Sequence, residues 1–110
     1  HDIYSGQRLA KKIRNRNNIL IDTDKDIGFN FAIISKSSIY DQLEDDTVRR
    51  LEELDCKFLC NIQEIHLDQN LTDVLASGDI IVRPDMKIFG ISNDKLTTEQ
   101  MCQDLLNQIT

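Results

Sequence analysis

The chain has 110 residues, 40% hydrophobic and 29% charged, with thirteen basic against nineteen acidic side chains and a net charge of -6. This is the make-up of one ordinary globular domain with a core of modest size, and it disfavours binding to duplex nucleic acid, which requires a cationic surface. No apolar run approaches the roughly 20 residues of a membrane span, and the first residues do not read as a signal peptide. The opening His1-Asp2 lacks an initiator Met and reads as the start of a segment cut from a longer polypeptide, with His1 left from a tag. Cys56, Cys60 and Cys102 are too few, and odd in number, for a secreted disulfide scaffold, so a reducing cytoplasm is expected.

Residues 1–16 are polar, lack periodicity and end in a basic cluster of Arg8, Lys11, Lys12, Arg14 and Arg16. They read as an N-terminal arm or interdomain segment, solvated or facing a neighbouring domain, ahead of a domain over residues 17–110; the sharper alternative is an anion or nucleic-acid site, which the missing interleaved aromatics and the acidic remainder of the chain disfavour. Ile19-Leu20-Ile21 is a short apolar run. The alternating aspartates Asp22, Asp24 and Asp26 suggest a calcium loop, but its sixth position holds Ile27 and its twelfth Ile33, where Gly and Glu are needed; a polar turn between strands is expected instead. Phe29 to Ser35 is almost continuously apolar, as in a strand covered on both faces.

A helix is expected from Asp45 to about Leu54, with Val48, Leu51 and Leu54 on one stripe and the aspartates at the positive end of its dipole. Lys57 to Ile62 reads as the next strand, which closes a βαβ crossover. Leu71 to Ala76 reads as a short helix ended by Gly78. Ile80-Ile81-Val82 and Ile88-Phe89 then form a hairpin around Arg83-Pro84-Asp85, since Pro84 cannot donate to a ladder and Asp85 suits a tight connection. The last helix opens on a capping box, Thr97 with Gln100, flanked by a Leu96–Met101 staple. Met101, Leu105 and Ile109 continue it at a four-residue spacing. The order strand, helix, strand, short helix, hairpin, helix fits a small α/β fold of thioredoxin type, with a central sheet, a C-terminal hairpin and flanking helices.

Such a fold raises the question of redox chemistry. A dithiol would need Cys-x-x-Cys after the first strand, at a helix N-terminus, and Ser35-Lys36-Ser37-Ser38 stands there. Cys56 and Cys60 fall in or beside a strand, where four residues span about 13 Å. A disulfide needs Cα atoms within about 7 Å. The cysteines with His66 show no paired zinc-ligand spacing. No Gly-x-Ser-x-Gly and no phosphate-cradling glycine loop occurs. Asn70-Leu71-Thr72 matches a glycosylation sequon by chance composition. Arg83 and Asp85 are open to two readings, a polar hairpin tip or a charge pair and anion site that contacts a neighbouring domain.

Ile81-Val82-Arg83-Pro84-Asp85 with Lys87-Ile88-Phe89-Gly90 resembles the signature near the C-terminus of FAD-dependent aromatic-ring hydroxylases of the phenol-hydroxylase and 3-(3-hydroxyphenyl)propionate-hydroxylase type. Ser5-Gly6-Gln7-Arg8 is similar to the Gly-Arg that opens the same segment, and Ile27-Gly28-Phe29 with Ala32-Ile33-Ile34 to its first strand. The chain departs from the pattern at Leu9-Ala10-Lys11, where the family often has Pro, and at Met86, where it often has Gly or Arg. The resemblance implies a thioredoxin-like C-terminal domain without a redox dithiol and without catalysis of its own. Its implied partners are the upstream FAD and substrate domains of the same chain and a second subunit, with no nucleic acid and no membrane. FAD and NAD(P)H would be held upstream, by a Gly-x-Gly-x-x-Gly fingerprint that this chain lacks. No flavin or substrate residue carries over. The residues it marks, Arg83, Pro84, Asp85, Phe89 and Gly90, are expected in a structural or interface role. The alternatives are a thioredoxin or peroxiredoxin relative acting through Cys56 and Cys60, and an independent module whose basic arm binds an acidic partner.

Overall fold

A computed structural model describes residues 6, 8–9, 12–65, 78–93 and 95–109. The expected short helix at 71–76, His66 and Asn70 lie outside them. Within them two sheets form. One is three-stranded, with β1 (Lys12–Asn15) paired antiparallel to both β2 (Leu20–Asp22) and β5 (Ile62–Glu64). The other is four-stranded, in the order β4 (Lys57–Leu59), β3 (Ala32–Ile34), β6 (Ile80–Val82), β7 (Ile88–Ile91). In it β3 runs parallel to β4 and antiparallel to β6, and β6 is antiparallel to β7.

Alternation along the isoleucine runs decides the layering, because successive strand side chains point to opposite faces. Ala32, Ile34, Ile80 and Val82 join one buried cluster with Ile13, Ile27 and Ile62, so the small sheet and α1 (Thr23–Ile27) cover that face. Ile33 and Ile81 join a second cluster, with Val48 and Leu51 of α2 (Asp45–Glu53) and Met101, Cys102, Leu105 and Leu106 of α3 (Thr98–Ile109). The helices therefore cover the opposite face. Full burial of β3 and β6 follows, as their near-continuous apolar character requires.

Four expectations change. The polar arm contains β1, and Leu9 and Ile13 are buried in the core. The aspartate turn is instead the short helix α1. Asp22 caps its N-terminus by accepting from the Asp24 and Lys25 amides, and Gly28 ends it at φ 65°. The strand expected from Phe29 begins only at Ala32, because Gly28 turns the chain and leaves Phe29 90% exposed. Lys57–Ile62 is not one strand. Asn61, at φ 57°, breaks it and carries the chain from β4 into β5 of the other sheet; Asn tolerates this left-handed conformation better than most side chains.

The hairpin and the last helix form as expected. Thr97 N–H donates to Gln100 Oε1 at 3.0 Å and Gln100 N–H to Thr97 Oγ1 at 3.2 Å, which completes the capping box. At the other end of the hairpin Gly78 meets Ser92 closely. A Cβ there would lie 2.0 Å from the Ser92 carbonyl oxygen, so only glycine fits. Among the described residues no helix is long and apolar enough to cross a membrane.

Candidate functional site

The Arg83–Lys87 loop is a tight turn built by its own side chains. Met86 N–H donates to the Arg83 carbonyl at 2.9 Å, and Arg83 N–H donates to the Lys87 carbonyl at 2.8 Å. Pro84 and Asp85 are the two central residues, and a proline's fixed φ suits the first of these. Asp85 divides its carboxylate. Oδ2 accepts from Arg83 Nη2 at 2.7 Å, and Oδ1 accepts from the Lys87 amide at 3.1 Å. Arginine, proline and aspartate in this order thus close one loop. The next residue, Met86, sits at φ 67°, a conformation that favours glycine. Its side chain is only 6% exposed and packs in the core, which offsets the strain.

The N-terminal segment runs alongside. Leu9 N–H donates to the Met86 carbonyl at 2.7 Å, Gly6 N–H to the Ile88 carbonyl at 2.8 Å, and Arg8 bridges Lys87 in antiparallel sense. Arg8 then reaches across to Asp24 at 3.3 Å. Arg8, Asp24, Gly28, Phe29, Pro84, Asp85 and Met86 line a groove of about 390 Å³, in which Met86 is buried and Phe29 exposed.

Phe89 and Gly90 lie elsewhere. Ile81 pairs with Gly90 and Val82 with Ile88, so Phe89 is an extra residue, a β-bulge. The bulge sends Phe89 to the helix face, where it packs against the second cluster. Gly90 leaves room beneath α3, since a Cβ there would lie 3.3 Å from Met101 Sδ. Arg83 shares a recess with Phe31, Phe89 and Leu105. The Arg83–Asp85 pair therefore straddles the turn between the groove and the helix side.

The cysteines are free. Cys56 and Cys60 flank β4 at its two ends, as expected. Burial pushes the Cys56 thiol up to about 12. Burial above all, with smaller contributions from Cys56, Glu99 and Asp79, pushes the Cys102 thiol up to about 12. Neither is a nucleophile at neutral pH, because the thiolate is the reactive form. Among the described residues no group of three or more His, Cys, Asp and Glu is placed to hold a metal ion.

The described helix N-termini do not suit a flavin pyrophosphate. α1 carries Asp24 and Asp26 in its first turn, α2 Asp45 and Asp46, and α3 Glu99. Each thus has acidic side chains in its first turn, whose charge opposes the binding of a further anion there.

Phe29 and the Arg8–Asp24 pair escape the sequence reading. Phe29 counted as strand core there, although Gly28 just before it was a signal for a chain reversal. A scan against protein-family models, a search of the curated proteins and a search of the solved structures find no match to the chain.

Proposed function

We propose that this chain is a thioredoxin-like, non-catalytic C-terminal domain of an FAD-dependent aromatic monooxygenase, and that it docks onto the upstream domains of the same polypeptide. The parent enzyme would hydroxylate phenolic substrates in the cytoplasm with FAD, NAD(P)H and oxygen. One observation carries the reading. The described residues of three separate segments that resemble the hydroxylases, Gly6 and Arg8, Ile27–Phe29 and Ile81–Gly90, meet in space, and residues of all three line the same groove. Segments far apart in sequence that share a resemblance and converge on one surface are what a common docking site requires.

The sense and order of the four strands, with both longer helices on one face, support the thioredoxin-like part of the reading. The redox alternative runs through Cys56 and Cys60, and the buried, high-pKa thiol of Cys56 speaks against it. The acidic helix N-termini agree with a flavin held outside this domain.

The Arg83 and Asp85 side chains are 48% and 41% exposed. Arg83→Ala is therefore expected to cost under about 1 kcal/mol of domain stability. Its larger effect should be on docking, seen by calorimetry of the intact enzyme as a separate transition for the C-terminal domain. Loss of hydroxylation with a single, unshifted transition would instead place the turn in the chemistry. Titration of the isolated domain with FAD should show no binding; micromolar affinity would overturn the reading.

A further inference from the structure

The start of α2 is held by a residue from another element. Its N-cap, Glu44, makes no side-chain capping bond. Instead Glu99 of α3 reaches across. Its Oε1 accepts from the Glu44 backbone N–H at 2.8 Å, and its Oε2 accepts from Thr47 Oγ1 at 2.7 Å and from Gln103 Nε2 at 2.8 Å. Gln103 Nε2 also donates to Thr47 Oγ1 at 2.9 Å. A capping-box glutamate normally satisfies the N-cap amide from within its own helix; here α3 supplies it. We propose that the Glu99 carboxylate is a latch between α2 and α3, whose removal or protonation lets α2 open locally and uncovers the thiols of Cys56 and Cys102.

The fold makes such an opening specific. α2 has nine residues, too few for a stable helix without tertiary support. Its Val48 and Leu51 share one cluster with Cys56, Cys102 and Leu105, so lifting α2 removes the cover from both thiols. The ionisable groups on the elements packed around Glu99 are Glu44, Asp45 and Asp46 at the start of α2, Arg49, Arg50, Glu52 and Glu53 further along it, Asp104 and Cys102 on α3, and Asp79 across Thr98. Asp79 Oδ2 is bound by Thr98 Oγ1 at 2.6 Å, and Arg49 is engaged by Asp46 and Glu53. Glu99 is thus held by neutral donors. Burial works against its charge, but the bonds from Glu44, Gln103 and Thr47 prevail and hold the carboxyl below its ordinary value. A carboxyl lowered in the folded state stabilises the fold above its unfolded value, and that contribution is lost as pH falls through the folded value.

The test is iodoacetamide labelling of the native protein at neutral pH, read cysteine by cysteine by mass spectrometry with increasing urea. In E99Q the labelling of Cys102 should rise about tenfold, the opening given by a loss of about 1.4 kcal/mol, with a weak urea dependence that marks local opening. Gln103→Ala removes one donor and keeps the carboxylate, and should raise the rate by a smaller factor; it decides the matter alone if E99Q does not fold. The wild-type advantage over E99Q in urea midpoint should shrink as the solution is acidified. Cys102 rates within about twofold of wild type, or a rise only with the steep urea dependence of global unfolding, would overturn the latch.

Discussion

Met86 shows how one side chain is settled between two opposing terms. Its backbone is left-handed, which costs a non-glycine residue about 1–2 kcal/mol. Its side chain is buried, and truncating a core methionine costs roughly 2–5 kcal/mol. Both Met86→Ala and Met86→Gly should therefore destabilise the domain. Glycine also relieves the backbone, so Met86→Gly should be the milder by about 1 kcal/mol in urea unfolding; alanine milder than glycine would mean the loop carries no strain. The same residue marks what the sequence disclosed. Arg83, Pro84 and Asp85 announce a tight turn through their own chemistry, and Met86 stands where the pattern it resembles often has Gly or Arg. That the methionine turns inward was not visible, because the core it enters is built from residues 9, 13, 27 and 62. Phe29 misled for a related reason. An aromatic beside Phe31 and Ala32 looks like core until the left-handed Gly28 turns the chain.

At the scale of elements, those with local end signals were legible and those fixed by distant contacts were not. α3 announced itself by Thr97 and Gln100, and both capping bonds form. α2 was legible in its Val48–Leu51 stripe, but its true cap, Glu99, lies 55 residues from Glu44 and has no local signature. Its C-terminus closes with Asp55 N–H donating to the Glu52 carbonyl and Cys56 N–H to the Leu51 carbonyl, around Asp55 at φ 58°. Glycine is the usual residue at that position. Asp55→Gly should therefore raise the urea-unfolding free energy by about 1 kcal/mol; a loss of stability would show that the Asp55 side chain has a role that outweighs the strain. The split of Lys57–Ile62 into β4 and β5 was hidden because Phe58, Leu59, Cys60 and Ile62 read as one apolar stretch. Only Asn61, taking a left-handed turn toward the second sheet, separates them.

On the scale of the whole molecule, the four-stranded mixed sheet carries helices on one face and a three-stranded sheet on the other. The helix side was largely readable, as a βαβ unit, a hairpin and a helix in chain order. The second sheet was not, since β1 falls in a polar segment where Ile13 is the only buried residue of the strand. Ahead of β1, Gly6, Arg8 and Leu9 lie against the hairpin, and Arg8 joins it in lining the groove shared by the resembling segments. The proposed docking role stands or falls with what adjoins that groove. The most direct measurement is to read the native open reading frame upstream of this segment. A docking domain of a flavin hydroxylase requires a preceding domain with a Gly-x-Gly-x-x-Gly strand-to-helix turn. A frame that begins at a start codon of this domain, with nothing before it, would contradict the role outright.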